Sequence, residues 1–469
     1  MTPTPLSRRA TLCLLAGVLL LAAPGFARAE RSPVEAYVRR QLVRRHLPSA
    51  AVAVVRDGKP VLLRGFGYAN LEQSTRATKN TVYVLASVTK QFAATGIMLL
   101  VEDGKLSLDD SITKYLEGVP DTWKSITVRH LLNHTSGIKS YTSLRVFGEQ
   151  SREDIKPAAL VKLIAAQPLD FAPGQKWAYN NSAYYLVGLI IEKVSGKSLN
   201  EFLTERIFKP LGMTSTRMAD NSAIVKRRAA PYSYLGDKTY NSEYLSDTLL
   251  FTAGGLMSTA ADMARWDAAL YGERLLKRSS LKQMWTPTRL NNGSKQNYGF
   301  GWAVGEKRGH RFVSHGGGVR GVSTYIIRYL DDRLTVIVLC NMDGAHAPAL
   351  AAGIARLYLP DLVEKPIKDK DPQTTAKLRA VAAGFADGTV KPELFTEAAR
   401  KLIFPLRAMQ AQQYLSALGK LKSFVLLKRG ERNGLQTYRY RVVFGETPLI
   451  AGFALTKDGR IAVAVFAPE

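Results

Sequence analysis

The chain has 469 residues, of which 46% are hydrophobic and 22% are charged, a composition typical of a soluble globular protein with room for two or three domains. Its formal net charge of +26 favours polyanionic partners, such as an anionic cell-envelope polymer. The basic residues are scattered, however, and no basic run interleaved with aromatic residues marks a nucleic-acid groove, so charge and composition argue against nucleic acid as a partner.

Residues 1–29 have the features of a secretory signal peptide. Arg8 and Arg9 precede the apolar run "LCLLAGVLLLAAPGFA", and the small residues Ala27 and Ala29 predict cleavage after Ala29. The run is short for a membrane span and is broken by Pro24, so no stable span is expected after cleavage. The sequence therefore predicts a periplasmic or secreted protein, with the Sec and twin-arginine export routes both open.

The only two cysteines are Cys13, inside the apolar run, and Cys340. Cleavage would leave Cys340 alone, so no internal disulfide is expected in the mature protein. Cys340 ends the alternating, β-branched segment "RLTVIVLC", which predicts a buried strand residue rather than a reactive thiol.

Hydrophobic periodicity predicts one large domain at residues 30–362. It begins with a helix in "SPVEAYVRRQLVRRH", followed by two strands that turn at Asp57 and Gly58. Helices are expected to dominate between about residues 87 and 280. Strand patterns return in "YGFGWAVGE", "HRFVSHGG", "GVSTYIIRYL" and "RLTVIVLCN", and the helix "APALAAGIARLYL" follows them.

The pattern changes after residue 362. Residues 363–375, "VEKPIKDKDPQTT", are charged, contain proline and have no period, which predicts a linker. Helical runs follow at 376–386 and 394–416, and then four short alternating segments. These elements predict a small α+β accessory domain at residues 376–469.

A serine three residues before a lysine can form a nucleophile and its base, and the chain has four such pairs: Ser87/Lys90, Ser111/Lys114, Ser136/Lys139 and Ser279/Lys282. Ser111 and Ser279 occupy positions typical of helix caps, and Ser136 lies in a loop before a glycine. Ser87 instead opens an apolar helix, on which Lys90 shares its face. Apolar neighbours desolvate an ammonium group and lower its pKa, as a lysine base requires. Ser87 and Lys90 are therefore the candidate catalytic pair, with a helix cap and an incidental lysine as the alternative.

Tyr179 and Asn181 are the second candidate element. They lie in "PGQKWAYNNSAYY", on a short connection between a Pro-Gly turn and an apolar helix, where both side chains can point into a cleft. A phenol near a lysine and a serine can relay protons, and an amide can hold both the lysine and a substrate carbonyl. The alternative is an aromatic packing residue beside an asparagine turn.

His315 and the three glycines that follow it are the third element. Glycines inside a strand pattern weaken a sheet unless a ligand or another backbone approaches closely. If His315 ends its strand, its imidazole and the exposed backbone N–H groups of the following glycines can both contact a ligand. A β-bulge with a capping histidine is the alternative.

The ordered set S-V-T-K at 87–90, Y-x-N at 179–181 and H-G-G at 315–317 resembles the penicillin-recognising serine hydrolases. More narrowly, it is similar to the class C β-lactamase and DD-peptidase-like family, which includes D-aminopeptidases and carboxylesterases. The strings "HLLNHTSGI", "PGQKWAYNN", "PLGMTST", "AGGLMSTAADMARW" and "YGFGW" support the resemblance, which runs from about 33 to 360. It implies a β-lactamase/transpeptidase-like α/β (α+β) fold, in which an antiparallel sheet is flanked by helices beside a mostly helical region.

The resemblance also implies a role for each candidate. Ser87 would be the acylated nucleophile, Lys90 its base partner and Tyr179 a participant in proton transfer. Backbone N–H groups of Ser87 and Gly318 would form the oxyanion hole. The substrate-binding and oxyanion positions would be Asn181, His315, Gly316, Gly317 and Gly318. The implied partner is a small-molecule or peptide substrate, and no metal or cofactor is implied.

The chain departs from this family at one position. Typical β-lactamases and DD-peptidases of the group carry Lys-Thr-Gly where this chain has His315-Gly316-Gly317. A permanent cation is thereby replaced by a group that is largely neutral at pH 7. This departure argues against efficient β-lactam hydrolysis and leaves carboxylesters, D-amino-acid peptides and other amides as the expected substrates.

Some features of the sequence also occur in three other classes of protein. "HGGG" also occurs in α/β-hydrolases, but the G-x-S-x-G pentapeptide that they need is absent from the sequence. His130 and His134 are four residues apart on an expected helix, but Leu131 stands where a zinc hydrolase needs glutamate. A non-catalytic binder of cell-wall fragments remains the alternative, because a basic surface and an accessory domain would also suit that function.

Overall fold

The computed structural model describes residues 32–468. The predicted signal peptide, with Cys13 inside it, lies outside the described residues. Within 32–468, none of the helices combines the length and the apolar character needed to cross a membrane.

The strands form a seven-stranded sheet, a four-stranded sheet and three smaller ones. In chain order the strands are β1 (Ser49–Arg56), β2 (Lys59–Asn70), β3 (Thr75–Arg76), β4 (Tyr83–Val84), β5 (Arg217–Met218), β6 (Tyr232–Leu235), β7 (Lys238–Asn241), β8 (Leu256–Ser258), β9 (Thr288–Arg289), β10 (Lys295–Gln296), β11 (Ala303–Lys307), β12 (His310–Val319), β13 (Val322–Tyr329), β14 (Leu334–Cys340), β15 (Leu421–Arg432), β16 (Leu435–Phe444), β17 (Thr447–Leu455) and β18 (Ile461–Pro468). The seven-stranded sheet has the order β11-β12-β13-β14-β1-β2-β3, and its neighbouring strands are antiparallel.

The α-helices lie mainly between the first and last strands of the large sheet and again near the C-terminus. In chain order they are α1 (Pro33–Arg44), α2 (Thr89–Glu102), α3 (Val128–Leu132), α4 (Arg145–Gln150), α5 (Pro157–Ala165), α6 (Asn181–Ser195), α7 (Leu199–Leu203), α8 (Lys209–Leu211), α9 (Asp247–Gly254), α10 (Ala260–Ala269), α11 (Arg278–Met284), α12 (Ala347–Tyr358), α13 (Pro372–Asp387), α14 (Glu397–Ile403) and α15 (Leu406–Leu418). The mostly helical region predicted at 87–280 thus follows the β1–β2 hairpin.

Both faces of the seven-stranded sheet are covered, which explains the unbroken apolar sequence of β1. Side chains alternate along a strand, so Ala51 and Ala53 pack toward the helical region while Val52 and Val54 pack beneath α1 and α12. Cys340, on β14, is fully buried on the α12 side, so the prediction of a buried strand cysteine is confirmed.

Helix α2 lies at the centre of the helical region, between α6 and α9. Its residues from Thr89 to Leu100 are all buried, including Lys90 and Gln91. A helix that is buried on every side has no solvent face for a charged residue, so a lysine in its first turn requires polar partners inside the protein.

The C-terminal residues form a separate core of their own. Strands β15 to β18 make an antiparallel sheet in sequential order, and α13 packs on it with α15 alongside. Tyr440, Val442 and Phe444 alternate into this core with Leu378 of α13. The predicted fold class, an antiparallel sheet flanked by helices followed by a small α+β unit, is confirmed.

Candidate active site

Ser87 lies in a tight turn rather than in the first turn of α2. A 3-10 turn covers Ala86–Val88, and the α-helix begins only at Thr89, so the prediction that Ser87 opens the helix was wrong by two residues. The buried Ala86 has a φ of 47°, a left-handed conformation that costs energy for any residue with a Cβ. The turn is held by the backbone of Leu85, whose N–H donates to Leu256 and whose carbonyl accepts from Thr324.

Lys90 is fully buried and makes three hydrogen bonds through Nζ. Nζ lies 3.1 Å from the Ser87 hydroxyl, and it donates to Oδ1 of Asn181 at 3.0 Å and to the carbonyl of Ala253 at 2.6 Å. None of these three partners carries a full charge. Burial therefore lowers the pKa of Lys90 well below its usual value of 10.5, and the group favours the neutral amine. The predicted Ser87–Lys90 contact is present in the structure.

Tyr179 lies on the other side of Ser87. The Ser87 hydroxyl is near enough to the Tyr179 phenol to offset part of the effect of burial on its pKa, and the Lys90 Nζ is 4.9 Å from the centre of the phenol ring. Burial raises the pKa of Tyr179, so the phenol keeps its proton even though 38% of the residue is exposed. Burial therefore favours the uncharged form of both groups, an amine for Lys90 and a protonated phenol for Tyr179.

Asn181 begins α6, and its position follows from the capping residue before it. The Asn180 side chain accepts from the N–H of Ala183 and fixes the first turn of the helix. The Asn181 amide can then reach Lys90 with its oxygen and Thr142 with its nitrogen, at 3.2 Å. The structure thus brings together Ser87 and Lys90 with both predicted residues of the second element.

His134 packs directly against Tyr179, with ring centroids 4.4 Å apart. The sequence had suggested only a zinc-binding role for this histidine. Its Nδ1 accepts from the N–H of Asn180, and its carbonyl accepts from Ala178, so the strand-like segment that carries Tyr179 is fixed from both ends. Helix α3 ends before His134, and the expectation that His130 and His134 share one helix was wrong.

His315 lies in the middle of β12, not at a strand end as predicted. Its Nε2 is 2.8 Å from the hydroxyl of Tyr298, and its Nδ1 is 2.7 Å from the carbonyl of Gly316. Burial is the main cause that lowers the pKa of His315 to about 3. The imidazole is therefore neutral at physiological pH. Its partner Tyr298 is the first residue of the string "YGFGW", but the sequence did not predict that Tyr298 contacts His315.

The three glycines lie where β12 loses one of its neighbours. Strand β11 pairs with β12 only as far as Ser314, whereas β13 continues to pair as far as Val319. Within residues 32–468, no strand covers the other edge of residues 316–319. The backbone groups on this edge are open to an extended substrate, which is how peptides commonly add to a sheet.

Gly317 allows the Ser87 turn to pack against β12. A Cβ at Gly317 would be 2.2 Å from the Leu85 carbonyl oxygen and 2.3 Å from Oγ1 of Thr324. At Gly318, in contrast, a Cβ would have no heavy atom within 4 Å. Packing therefore requires glycine at position 317 but leaves room for a methyl group at position 318.

We expect Gly317→Ala to reduce kcat/KM by roughly 100-fold, because the added methyl group must displace the turn that carries Ser87. Gly318→Ala serves as the matched comparison and should lose less than about tenfold, since no packing atom obstructs it. Steady-state ester hydrolysis and thermal melts of both variants measure the two effects. Equal losses in the two variants would contradict the packing argument.

The other serine–lysine pairs do not form such a site. Ser111 caps a 3-10 turn, as predicted. Ser136 is buried, while Lys139 forms an ion pair with Asp170. Ser279 lies inside α11 and Lys277 occupies the cap position, so the prediction that Ser279 is a cap was wrong.

A cavity of about 220 Å³ opens beside Ser87. Asn181, Gly318 and Arg320 contribute its polar groups. The remaining wall is mostly apolar and comes from α4, the turn before α4, α9 and the segment just before α9. Its lining residues include Tyr141, Phe147, Leu245, Leu250 and Ala253. These wall residues belong to the segments 138–160 and 220–250, together with the adjoining end of α9, so these segments determine the width of the cavity.

Residues 34–359 match the family described as Beta-lactamase. The chain belongs to the β-lactamase family, and the predicted resemblance is confirmed. Penicillin-binding protein 4* of Bacillus subtilis is 31% identical over 433 residues, covering 82% of this chain and 94% of that protein. D-aminopeptidase of Brucella anthropi is 29% identical over 324 residues, which are 67% of this chain and 60% of that enzyme. Family and relatives support serine hydrolase activity in general.

Solved structures give the same fold. The octameric penicillin-binding protein homologue from Pyrococcus abyssi has a TM-score of 0.63 at 23% identity, over 93% of this chain and 98% of that one. The D-stereospecific amidohydrolase from a Streptomyces species has a TM-score of 0.58 at 29% identity, over 68% of this chain and 97% of that one. The first of these similarities supports the fold along nearly the whole chain.

Proposed function

We propose that the protein hydrolyses an ester or amide through an acyl-enzyme on Ser87. The observation that carries this proposal is the hydrogen bond of 3.1 Å between the Ser87 hydroxyl and the fully buried Nζ of Lys90. An amine that is neutral and in contact with an alcohol is the base that a serine nucleophile needs. The predicted periplasmic or secreted location, with an anionic envelope polymer as a possible partner, is part of this proposal.

The positions of Ser87, Lys90 and Tyr179 support the following sequence of proton transfers. The Ser87 oxygen attacks the substrate carbonyl while its proton passes to Lys90, and the backbone N–H groups of Ser87 and Gly318 stabilise the oxyanion. The carbon–heteroatom bond then breaks, the leaving group takes the proton of Tyr179, and Lys90 returns its proton to the phenolate. Water attacks the acyl-enzyme with Tyr179 and Lys90 in the reverse roles, which releases the acid and restores Ser87.

The charge distribution favours esters and D-amino-acid amides over β-lactams. His315 is neutral where typical relatives place a lysine, so the site lacks a cation at that position. Arg320 lines the cavity, but Glu243 lies 3.3 Å from its guanidinium and compensates part of its charge. A substrate carboxylate would therefore gain less from this site than from a free lysine beside the serine. The D-aminopeptidase and D-stereospecific amidohydrolase relatives support the D-amino-acid branch of the proposal.

The proposal is tested by comparing four substrates on the purified protein: a p-nitrophenyl butyrate ester, a D-amino-acid amide with its L-enantiomer, a D-Ala-D-Ala peptide and nitrocefin. We expect the ester and the D-amide to be hydrolysed with kcat/KM at least tenfold above nitrocefin. A fluorophosphonate probe mapped to Ser87 by mass spectrometry reports the acylation step independently. Absence of both turnover and labelling would favour the non-catalytic binder of cell-wall fragments instead.

A further inference from the structure

A second cavity lies next to the candidate active site, separated from it by two aromatic rings. Its volume is about 130 Å³, and its lining combines the apolar residues Ile155, Leu160, Leu163 and Leu249 with the acidic residues Glu153 and Asp154. Tyr141 and Phe147 contribute to the walls of both this cavity and the one beside Ser87. The two rings meet edge to face with centroids 5.6 Å apart and therefore form the partition between the cavities.

The two rings are not held equally. The hydroxyl of Tyr141 donates to the carbonyl of Leu249, and its N–H donates to Ser182, so this ring is fixed within the core. Tyr141 is 3% exposed. Phe147 has no polar atom on its side chain, is only partly buried and projects from the short helix α4. Phe147 is thus the ring whose removal would open the partition with the least cost to the core.

The cavity beside Ser87 is placed to hold the acyl group of the substrate. It contacts the serine, Asn181 and Gly318, but neither Tyr179 nor Lys90 is among its lining residues. In the proposed mechanism the leaving group must reach the Tyr179 proton, so it departs on the opposite side of the serine. The part of the substrate that stays bonded to Ser87 therefore occupies the apolar cavity.

We infer that Phe147 is a specificity-determining residue that limits the length of the acyl group, and that the preferred acyl groups are short and apolar. This inference rests on the proposed acyl-enzyme function. The cavity walls near Phe147 come from Tyr141, Leu245 and Leu250, which suit an unbranched or aromatic apolar chain. A longer chain would meet the Phe147 ring before it could enter the second cavity.

The test is a series of p-nitrophenyl esters from acetate to decanoate on the wild-type protein and Phe147→Ala. We expect wild-type kcat/KM to peak at a short chain and then fall. In Phe147→Ala the octanoate-to-acetate ratio of kcat/KM should rise at least tenfold, since each methylene newly buried contributes roughly fourfold. A thermal melt reports whether the variant is folded, and the acetate rate of each protein normalises its chain-length profile.

Two further variants test whether the change in chain-length profile comes from joining the two cavities. Leu163→Ala removes apolar volume from the second cavity only, and its chain-length profile should match the wild type. Adding Leu163→Phe to Phe147→Ala fills the second cavity and should abolish the gain for octanoate. An unchanged profile in an acetate-active Phe147→Ala, or a wild type that hydrolyses amides but no ester, overturns the inference alone. A wild type that hydrolyses no ester or amide and is not labelled at Ser87 overturns it together with the proposed function.

Discussion

Ser87→Ala is expected to abolish ester hydrolysis, with kcat falling by roughly 10³-fold to 10⁶-fold, because Ser87 provides the one hydroxyl hydrogen bonded to the buried Lys90 amine within residues 32–468. The proposed reaction requires a covalent bond to this oxygen, so the variant should also lose labelling by the fluorophosphonate probe. Alanine keeps the Cβ of the turn, and the thermal melting temperature should change little. Stopped assays with p-nitrophenyl butyrate measure the loss.

The matched controls are the serines of the competing pairs. Ser111→Ala removes a helix cap and should cost stability on the order of 1 kcal/mol without changing kcat. Ser136→Ala removes a buried hydroxyl that accepts from the N–H of Ile138, again with an effect on stability alone. Retention of full activity and labelling by Ser87→Ala, or their loss in Ser111→Ala, would refute the assignment of the nucleophile.

The sequence predicts the residues of the site better than it predicts their surroundings. Ser87 and Lys90 are three residues apart, and Tyr179 and Asn181 are two apart, so local spacing together with the neighbouring apolar helices identifies each pair. The contact of Lys90 with the Ala253 carbonyl could not be predicted in this way, because the two residues are 163 positions apart along the chain. A backbone oxygen has no sequence signature, and no periodicity indicates that α9 ends over the lysine.

The local backbone conformation and the cavities of the site were also not predictable from the sequence. The apolar pattern runs continuously from residue 88 through α2, so it cannot reveal that Ser87 lies in a 3-10 turn before the helix begins. The positive φ of Ala86 depends on tertiary packing by β8 and β13. Phe147 appears in the sequence as one more aromatic residue, and only the fold shows that it separates two cavities.

Lys90→Met is expected to lower kcat/KM by roughly 10²-fold to 10⁴-fold while preserving the fold, because the thioether fills the same buried space but accepts no proton from Ser87. Lys139→Met is the matched control. The ammonium group of Lys139 pairs with Asp170 at a partly exposed position, so we expect activity close to the wild type. A burst experiment that separates acylation from deacylation should assign the loss in Lys90→Met to acylation.

The pH dependence distinguishes a base from a merely structural lysine. Burial lowers the pKa of Lys90 from 10.5, so wild-type kcat/KM should rise with pH through that lowered pKa and level off well below pH 10. Unfolding restores the ordinary pKa, so between the two values the unfolded chain binds the extra proton and the free energy of unfolding increases with pH. Lys90→Met should lose both the acid limb of the rate profile and this part of the stability gradient. If the variant kept either dependence, another group would have to titrate, and the neutral amine beside Ser87 could not be the base.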